Sequence, residues 1–261
     1  MFKLFRYSAD RLPVAIILAI SCVDLYLYFA VQNTYLLLLY WVLMIFPKVQ
    51  ICAWNHHHQH TRTFRFKPVN RVLEFFYALH TGVTTNLWLL HHVLGHHQNY
   101  LDQTQDESRW KRSSGETMGE WEYTLNVGLT AYPRGYQVGK QHPKAQRAFV
   151  FCTAVTFGIV ALAVWYKPVA GLLLFVLPMI TGLFVTSWAT YDHHAGLDTK
   201  NVFAASYSNV GRLYNVLTGN LGYHAAHHFK QGVHWSELPQ LHEQIKEHIP
   251  PGLIRGVRGT S

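Results

Sequence analysis

Four apolar stretches, each about as long as a hydrocarbon core is thick, restrict this chain more than any other feature. They cover about 13–31, 34–53, 148–166 and 168–190, and a helix needs about 20 residues to cross such a core. Lipid offers no partner for backbone N–H and C=O groups, so segments of this length are expected to be helical. Only 14% of the residues are charged, against about a quarter in ordinary soluble domains. That shortfall fits a surface facing lipid. The first stretch lacks a small-residue cleavage site after it and reads as an anchor.

Loop lengths and charge then set a topology. The first two stretches are joined by Gln32-Asn33 and the last two by Lys167, which makes two helical hairpins. The basic residues are read as avoiding the apolar runs. They gather at the N-terminus (Lys3, Arg6, Arg11), in the middle segment (Arg62, Arg65, Lys67, Arg71, Lys111, Arg112) and in the tail (Lys200, Arg212, Lys230, Lys246). The positive-inside rule therefore places both termini and the middle segment in the cytoplasm. The same distribution accounts for the net charge of +8 through anionic lipid, with no nucleic acid as partner. Two further apolar stretches, 72–94 and 202–221, are too polar for lipid-exposed spans and read as interfacial or partly inserted helices. The expected fold is all-α and integral to the membrane: four transmembrane helices in two hairpins under a cytoplasmic helical cap, one domain over 1–261 with the cap at about 54–147 and 191–261. The stretch 103–119 reads as a polar loop. Cys22, Cys52 and Cys152, with no CxxC, read as buried free thiols.

The chemistry lies in 18 histidines, none inside the four spans. His56 and His60 are four apart, as are His92 and His96, with His97 adjacent; His224, His227 and His228 stand at i, i+3 and i+4. On a helix those spacings share a face, so each set is expected to aim its imidazoles at one locus. With one of the His193-His194 pair, nine imidazoles are too many for one ion and suit two. Imidazole ligates Zn, Cu, Fe and Ni alike; the number of histidines beside a hydrocarbon environment favours iron, and the HExxH zinc-protease pattern is absent. Thr34 to His56 is about 33 Å of helix and Pro168 to His194 about 39 Å, so both histidines should emerge at one height beyond the cytoplasmic boundary. A metal site would cap the bundle over an apolar cleft.

In these residues the chain resembles the membrane fatty acid desaturase and hydroxylase superfamily. HxxxH at His56/His60, HxxxHH at His92/His96/His97 and HxxHH at His224/His227/His228 match its three histidine boxes in order. Asn220 to His228, followed by Trp235-Ser236-Glu237-Leu238-Pro239, is similar to the third box and tail of lipid desaturases. Gly95 before the His96-His97 pair, and Tyr191-Asp192-His193-His194-Ala195-Gly196, are similar to the alkane monooxygenase branch, which makes His194 the ninth ligand. His91 and His193 stand as alternatives to His92 and His194. The resemblance implies two non-haem Fe ions, O2 as co-substrate, and oxidation of a C–H bond in a lipid-like acyl or alkyl chain. Fatty acyl desaturation is the first reading; hydroxylation and terminal-alkene formation are alternatives. No electron-transfer module is fused, so a separate ferredoxin-, rubredoxin- or cytochrome-type donor is implied.

Other residues carry weaker readings. His57 and His58 point off the ligand face; His80, His142, His234, His242 and His248 are expected at an interface or surface. Asn220, four before His224, is a candidate to orient a ligand or hold a water, or else begins the helix. Asp24, inside the first span, is expected to hydrogen-bond to a neighbouring helix. A haem or metal-binding membrane protein without oxygenase activity is the rival class, and it would need ligands inside the spans, where there are none.

Overall fold

The two longest helices are rods that overrun a bilayer. In the computed structural model, which describes residues 3–256, α2 is Thr34–His60 and α6 is Pro168–His194. Each continues unbroken past its expected span end, so the first histidine box and His194 ride on the ends of the helices that carry the apolar stretches. Residues 1–2 and 257–261, the ends of the expected domain, lie outside the described residues. With α1 (Arg11–Ala30) and α5 (Pro143–Tyr166), these are the four helices among the described residues long and apolar enough to cross a membrane. Asn33 starts α2 by accepting from the backbone N–H groups of Tyr35 and Leu36, and Pro143 and Pro168 open α5 and α6, as first-turn prolines do. Large apolar side chains such as Leu39, Leu43, Phe46, Phe151 and Trp165 face outward, a continuous surface that suits lipid and that water would disfavour.

The stretch 72–94 is two helices. The first, α3 (Lys67–Thr81), ends at Gly82 with φ 66°; the second is a π-helix, Leu89–His96. A Cβ on Gly82 would lie 2.1 Å from the Met179 carbonyl oxygen, and one on Gly182 would lie 2.6 Å from the Thr81 Cα. Only glycine lets the end of α3 approach α6 that closely. The end of α3 therefore runs in among the long helices. The stretch 202–221 contributes only a short helix, α7 (Arg212–Thr218). Then α4 (Glu120–Gly139) packs on α6 and on the π-helix. After it come α8 (His224–Phe229) and α9 (Leu238–Ile245), with a parallel pair β1 (Ser208–Asn209) and β2 (Ile254–Arg255). The expected loop 103–119 has no helix.

Several polar residues differ from expectation. Lys48 lies inside α2, buried, with Nζ 2.9 and 2.8 Å from the two carboxylate oxygens of Asp24. Tyr40 Oη donates to the same carboxylate at 2.7 Å, so the helix-to-helix bond expected of Asp24 is present, with an ammonium added. An isolated charge here would be costly; a charge paired on both oxygens is tolerable. His80, His234 and His242, expected at a surface, are buried. His234 sits 3.0 Å from Asp10 Oδ1 and stacks on Tyr7, and His242 lies against Tyr223. Of that set only His248 is exposed, its ring against Phe203, with His142 intermediate. Of the cysteines, Cys52 is buried, Cys152 intermediate and Cys22 exposed on α1; all are free.

Candidate metal centre

The ends of α2 and α6 meet the π-helix and α8, and between them the imidazoles sort into two groups. Ligand-capable nitrogens of His56, His60, His92, His97 and His227 all lie within 4.8 Å of one another, as do those of His96, His194 and His228. His224 joins the second group at its edge, with Nε2 3.0 Å from His194 Nε2 and 3.2 Å from His228 Nε2. All nine expected histidines thus converge, but the boxes do not each serve one locus.

The π-helix explains the split of the second box. Its backbone bonds run from residue i+5 to i: His97 N–H donates to the His92 carbonyl at 2.9 Å. With one extra residue per turn, His92 and His97 share a face and their Nε2 atoms are 2.9 Å apart, while His96 is turned to the other group. The expected pairing of His92 with His96 rested on α-helical spacing and is corrected here. Such single-turn π segments recur at functional sites. On α8, His227 turns to the first group, with Nε2 2.9 Å from His56 Nε2, and His228 to the second. One turn of helix therefore bridges both groups.

Neighbouring histidines are kept out. His91 stacks on Trp88 and neither ring nitrogen finds a hydrogen bond. His193 stacks on His224 at 3.9 Å and faces Tyr214 Oη. The structure brings His92 and His194 together with the others, rather than His91 and His193. His57 packs towards Trp235. His58 contacts Thr63 Oγ1 at 2.9 Å and Glu74 Oε1 at 3.3 Å. Arg62 and Arg71 also donate to the Glu74 carboxylate. Burial alone would raise the Glu74 pKa, but the His58 hydrogen bond and the two guanidinium charges outweigh it and hold Glu74 at about 2. Asn220 is not on a shared helical face with His224: α8 starts at His224, Asn220 has φ 65°, and its amide donates to the Trp235 carbonyl at 3.1 Å.

The donor chemistry fits metal ions. His96 Nδ1 is 2.8 Å from Asp106 Oδ1. A carboxylate accepts, so the proton sits on Nδ1 and the buried Nε2, which has no hydrogen-bond partner, presents its lone pair. His194 Nδ1 likewise donates to the Ala205 carbonyl at 2.9 Å. Imidazoles oriented through the outer nitrogen are the usual arrangement around a bound metal. Burial first, then neighbouring imidazoles, hold His92, His97, His224, His227 and His228 well below the ordinary imidazole value. They stay neutral at pH 7, the form that ligates. Facing Nε2 atoms at about 3 Å cannot all carry protons, and cations between them would relieve the opposed lone pairs.

Two neighbours escaped the sequence reading. Asp106 belongs to the polar stretch 103–119, and nothing in its spacing ties it to His96. Tyr100, whose ring centroid is 4.4 Å from that of His228, is half-buried and links the second group to the surface loop. Near it Arg109, Lys111, Arg112, Arg134 and Lys200 line a cavity of about 770 Å3 with Asp102 and Asp198; Lys111 is paired with Asp198 and Arg112 with Glu116 and Glu122, so Arg109, Arg134 and Lys200 carry its positive excess.

The family model described as Fatty acid desaturase matches residues 15–256, a span that contains every histidine of both groups. No curated protein and no solved structure matches the chain.

Proposed function

Since the chain belongs to the fatty acid desaturase family, and so is an oxidoreductase of lipid chains, we propose that it is an O2-dependent, non-haem di-iron acyl desaturase with its metal site on the cytoplasmic side. The observation that carries the reading is the division of nine imidazoles into two adjoining groups. His56, His60, His92, His97 and His227 would hold one ion, and His96, His194, His224 and His228 the other. Iron pairs in such all-nitrogen sites supply, when bound, the means to reduce O2 with two external electrons and to remove hydrogen from an unactivated carbon.

The protein's own contribution is position and exclusion. Asp106 and the Ala205 carbonyl fix two imidazoles in the tautomer that faces inward. Burial of eight of the nine histidines keeps bulk water from the reacting carbon. Val83, Leu87, Trp88 and Leu90 form a packed apolar cluster beside the second box, which keeps that side of the centre dry. Removing two hydrogens from adjacent carbons while O2 takes two electrons and two protons yields one alkene and two waters. The electrons come from a separate ferredoxin-, rubredoxin- or cytochrome-type partner. The basic cavity near Tyr100 favours an acidic one, so reduction rates should fall as ionic strength rises.

The test is lipid profiling by mass spectrometry, under isotopically labelled O2, in cells expressing the chain or its His227→Ala variant. New unsaturation without label, absent from the variant, is the expected result. Label in a product alcohol would replace desaturation by hydroxylation, and no change in either lipid or hydrocarbon would refute both.

A further inference from the structure

Apart from the histidine groups, a second cavity lies between α1, α3, α5 and α6. Lys48, which borders its polar end, and His56 are eight residues apart on α2, about 12 Å of helix. The cavity measures about 210 Å3 and is walled by Phe75, Phe76, Leu79, Val160 and Phe175, with Leu25, Phe29 and Ile159 at its rim. Those three rim side chains are exposed on the apolar outer surface, so the opening faces lipid. At the inner end stand Ser21, Asp24 and His80.

The hydrogen bonds at that end leave one acceptor open. Ser21 Oγ donates to the Ile17 carbonyl at 2.8 Å. A hydroxyl has a single proton, so the 2.9 Å contact between Ser21 Oγ and His80 Nε2 is donated by the ring. His80 Nδ1 is then a bare lone pair. It is buried, has no hydrogen-bond partner, and stands 3.7 Å from Asp24 Oδ2. The Asp24 carboxylate already accepts from Tyr40 and twice from Lys48. Leaving a buried acceptor unmatched is destabilising, because it loses its bond to water and gains none in return. A water could meet it, but water needs two or more polar partners and occupies about 30 Å3. A water bridging His80 Nδ1 and Asp24 Oδ2 would still leave the apolar remainder of the cavity unfilled, where the Tyr28 hydroxyl is already taken by the Ala163 carbonyl at 2.8 Å.

We propose that this cavity binds a lipid alcohol, with its hydroxyl donating to His80 Nδ1 and its hydrocarbon against Phe75, Phe76 and Phe175. A hydroxyl is the end group that fits. A carboxylate would bring a second negative charge against Asp24 and has no proton to give. A methyl end would leave His80 Nδ1 unmatched. The site uses no metal ligand and stands whatever reaction the histidine groups perform.

Three photoactivatable probes with one alkyl chain, ending in hydroxyl, carboxylate or methyl, test this on the purified full chain in detergent. The alcohol probe should crosslink to α1, α3, α5 or α6 at least tenfold more than either of the others at equal concentration. His80→Phe should reduce its yield to that of the methyl probe. Ile159→Trp should narrow the mouth and cut labelling at least fivefold; Ile159 is 45% exposed, so this variant decides the matter if His80→Phe fails to fold. Equal labelling by alcohol and methyl probes, no labelling of these helices, or labelling insensitive to Ile159→Trp would each overturn the proposal.

Discussion

The two histidine groups are built to different plans. In the second group the protein grips two of the four imidazoles directly, Asp106 holding His96 and the Ala205 carbonyl holding His194, while Nδ1 of His224 and of His228 is buried without a partner. In the first group the outer nitrogens of His60, His97 and His227 are buried without a partner. Its two α2 histidines are instead held through their helix, whose end is tied to α3 by His58, Arg62 and Glu74. One plan orients ligands singly; the other orients the rod that carries them. The first group should therefore depend on helix anchoring and on the ion itself, and the second on individual hydrogen bonds.

The largest effect should come from removing a ligand in either group. His60→Ala and His194→Ala should each lower bound iron from two to at most one per chain and reduce product formation to background, by metal analysis and lipid profiling on the same preparations. Full activity in either variant would remove that residue from the centre.

Glu74→Ala probes the anchoring of the first group alone. It leaves Arg62 and His58 without their buried carboxylate, and breaking such a pair costs about 3–5 kcal/mol, read as a fall in thermal midpoint. The pH dependence follows from the same residue. Its folded-state pKa of about 2 lies below the ordinary 4.5. Its contribution, roughly 3 kcal/mol at about 1.4 kcal/mol per unit, is thus present above pH 4.5 and lost as pH falls towards 2. In Glu74→Gln that part of the acid sensitivity should vanish, as midpoints taken across that range would reveal.

Asp106→Ala probes the second group. Loss of an orienting partner weakens metal binding by about 10–100-fold, so chelator competition should strip one ion early and leave the other at wild-type affinity. Asp106→Asn, whose amide oxygen can still accept from His96, should recover part of the loss. Equal weakening at both sites would erase the contrast between the two plans. The smallest effect belongs to His91→Phe, which preserves the stacking on Trp88 and should leave two irons in place.

Much of this architecture is legible from pattern. Apolar length located the four long helices to within a few residues at their starts, because lipid forces every backbone bond to close within the segment. The nine histidines that converge were all recognisable by spacing and resemblance. Their distribution between two groups was not, because it depends on the π-helical turn at Leu89–His96, which moves His92 from His96 to His97. Periodicity assumes 3.6 residues per turn and has no means to register an inserted one. Asp106 was equally hidden, since a loop places it beside His96 by tertiary packing. Lys48 breaks the rule that the basic residues avoid the apolar runs, and His80 and His234 are buried where an interface or surface is expected, for a shared reason: each is polar, with a partner far away in sequence.

Metal content of the purified full chain is the most direct test of the central claim. Two iron ions per chain, falling to no more than one in both His60→Ala and His194→Ala, is the predicted result. Stoichiometric zinc, or a single ion lost equally in both variants, would contradict it.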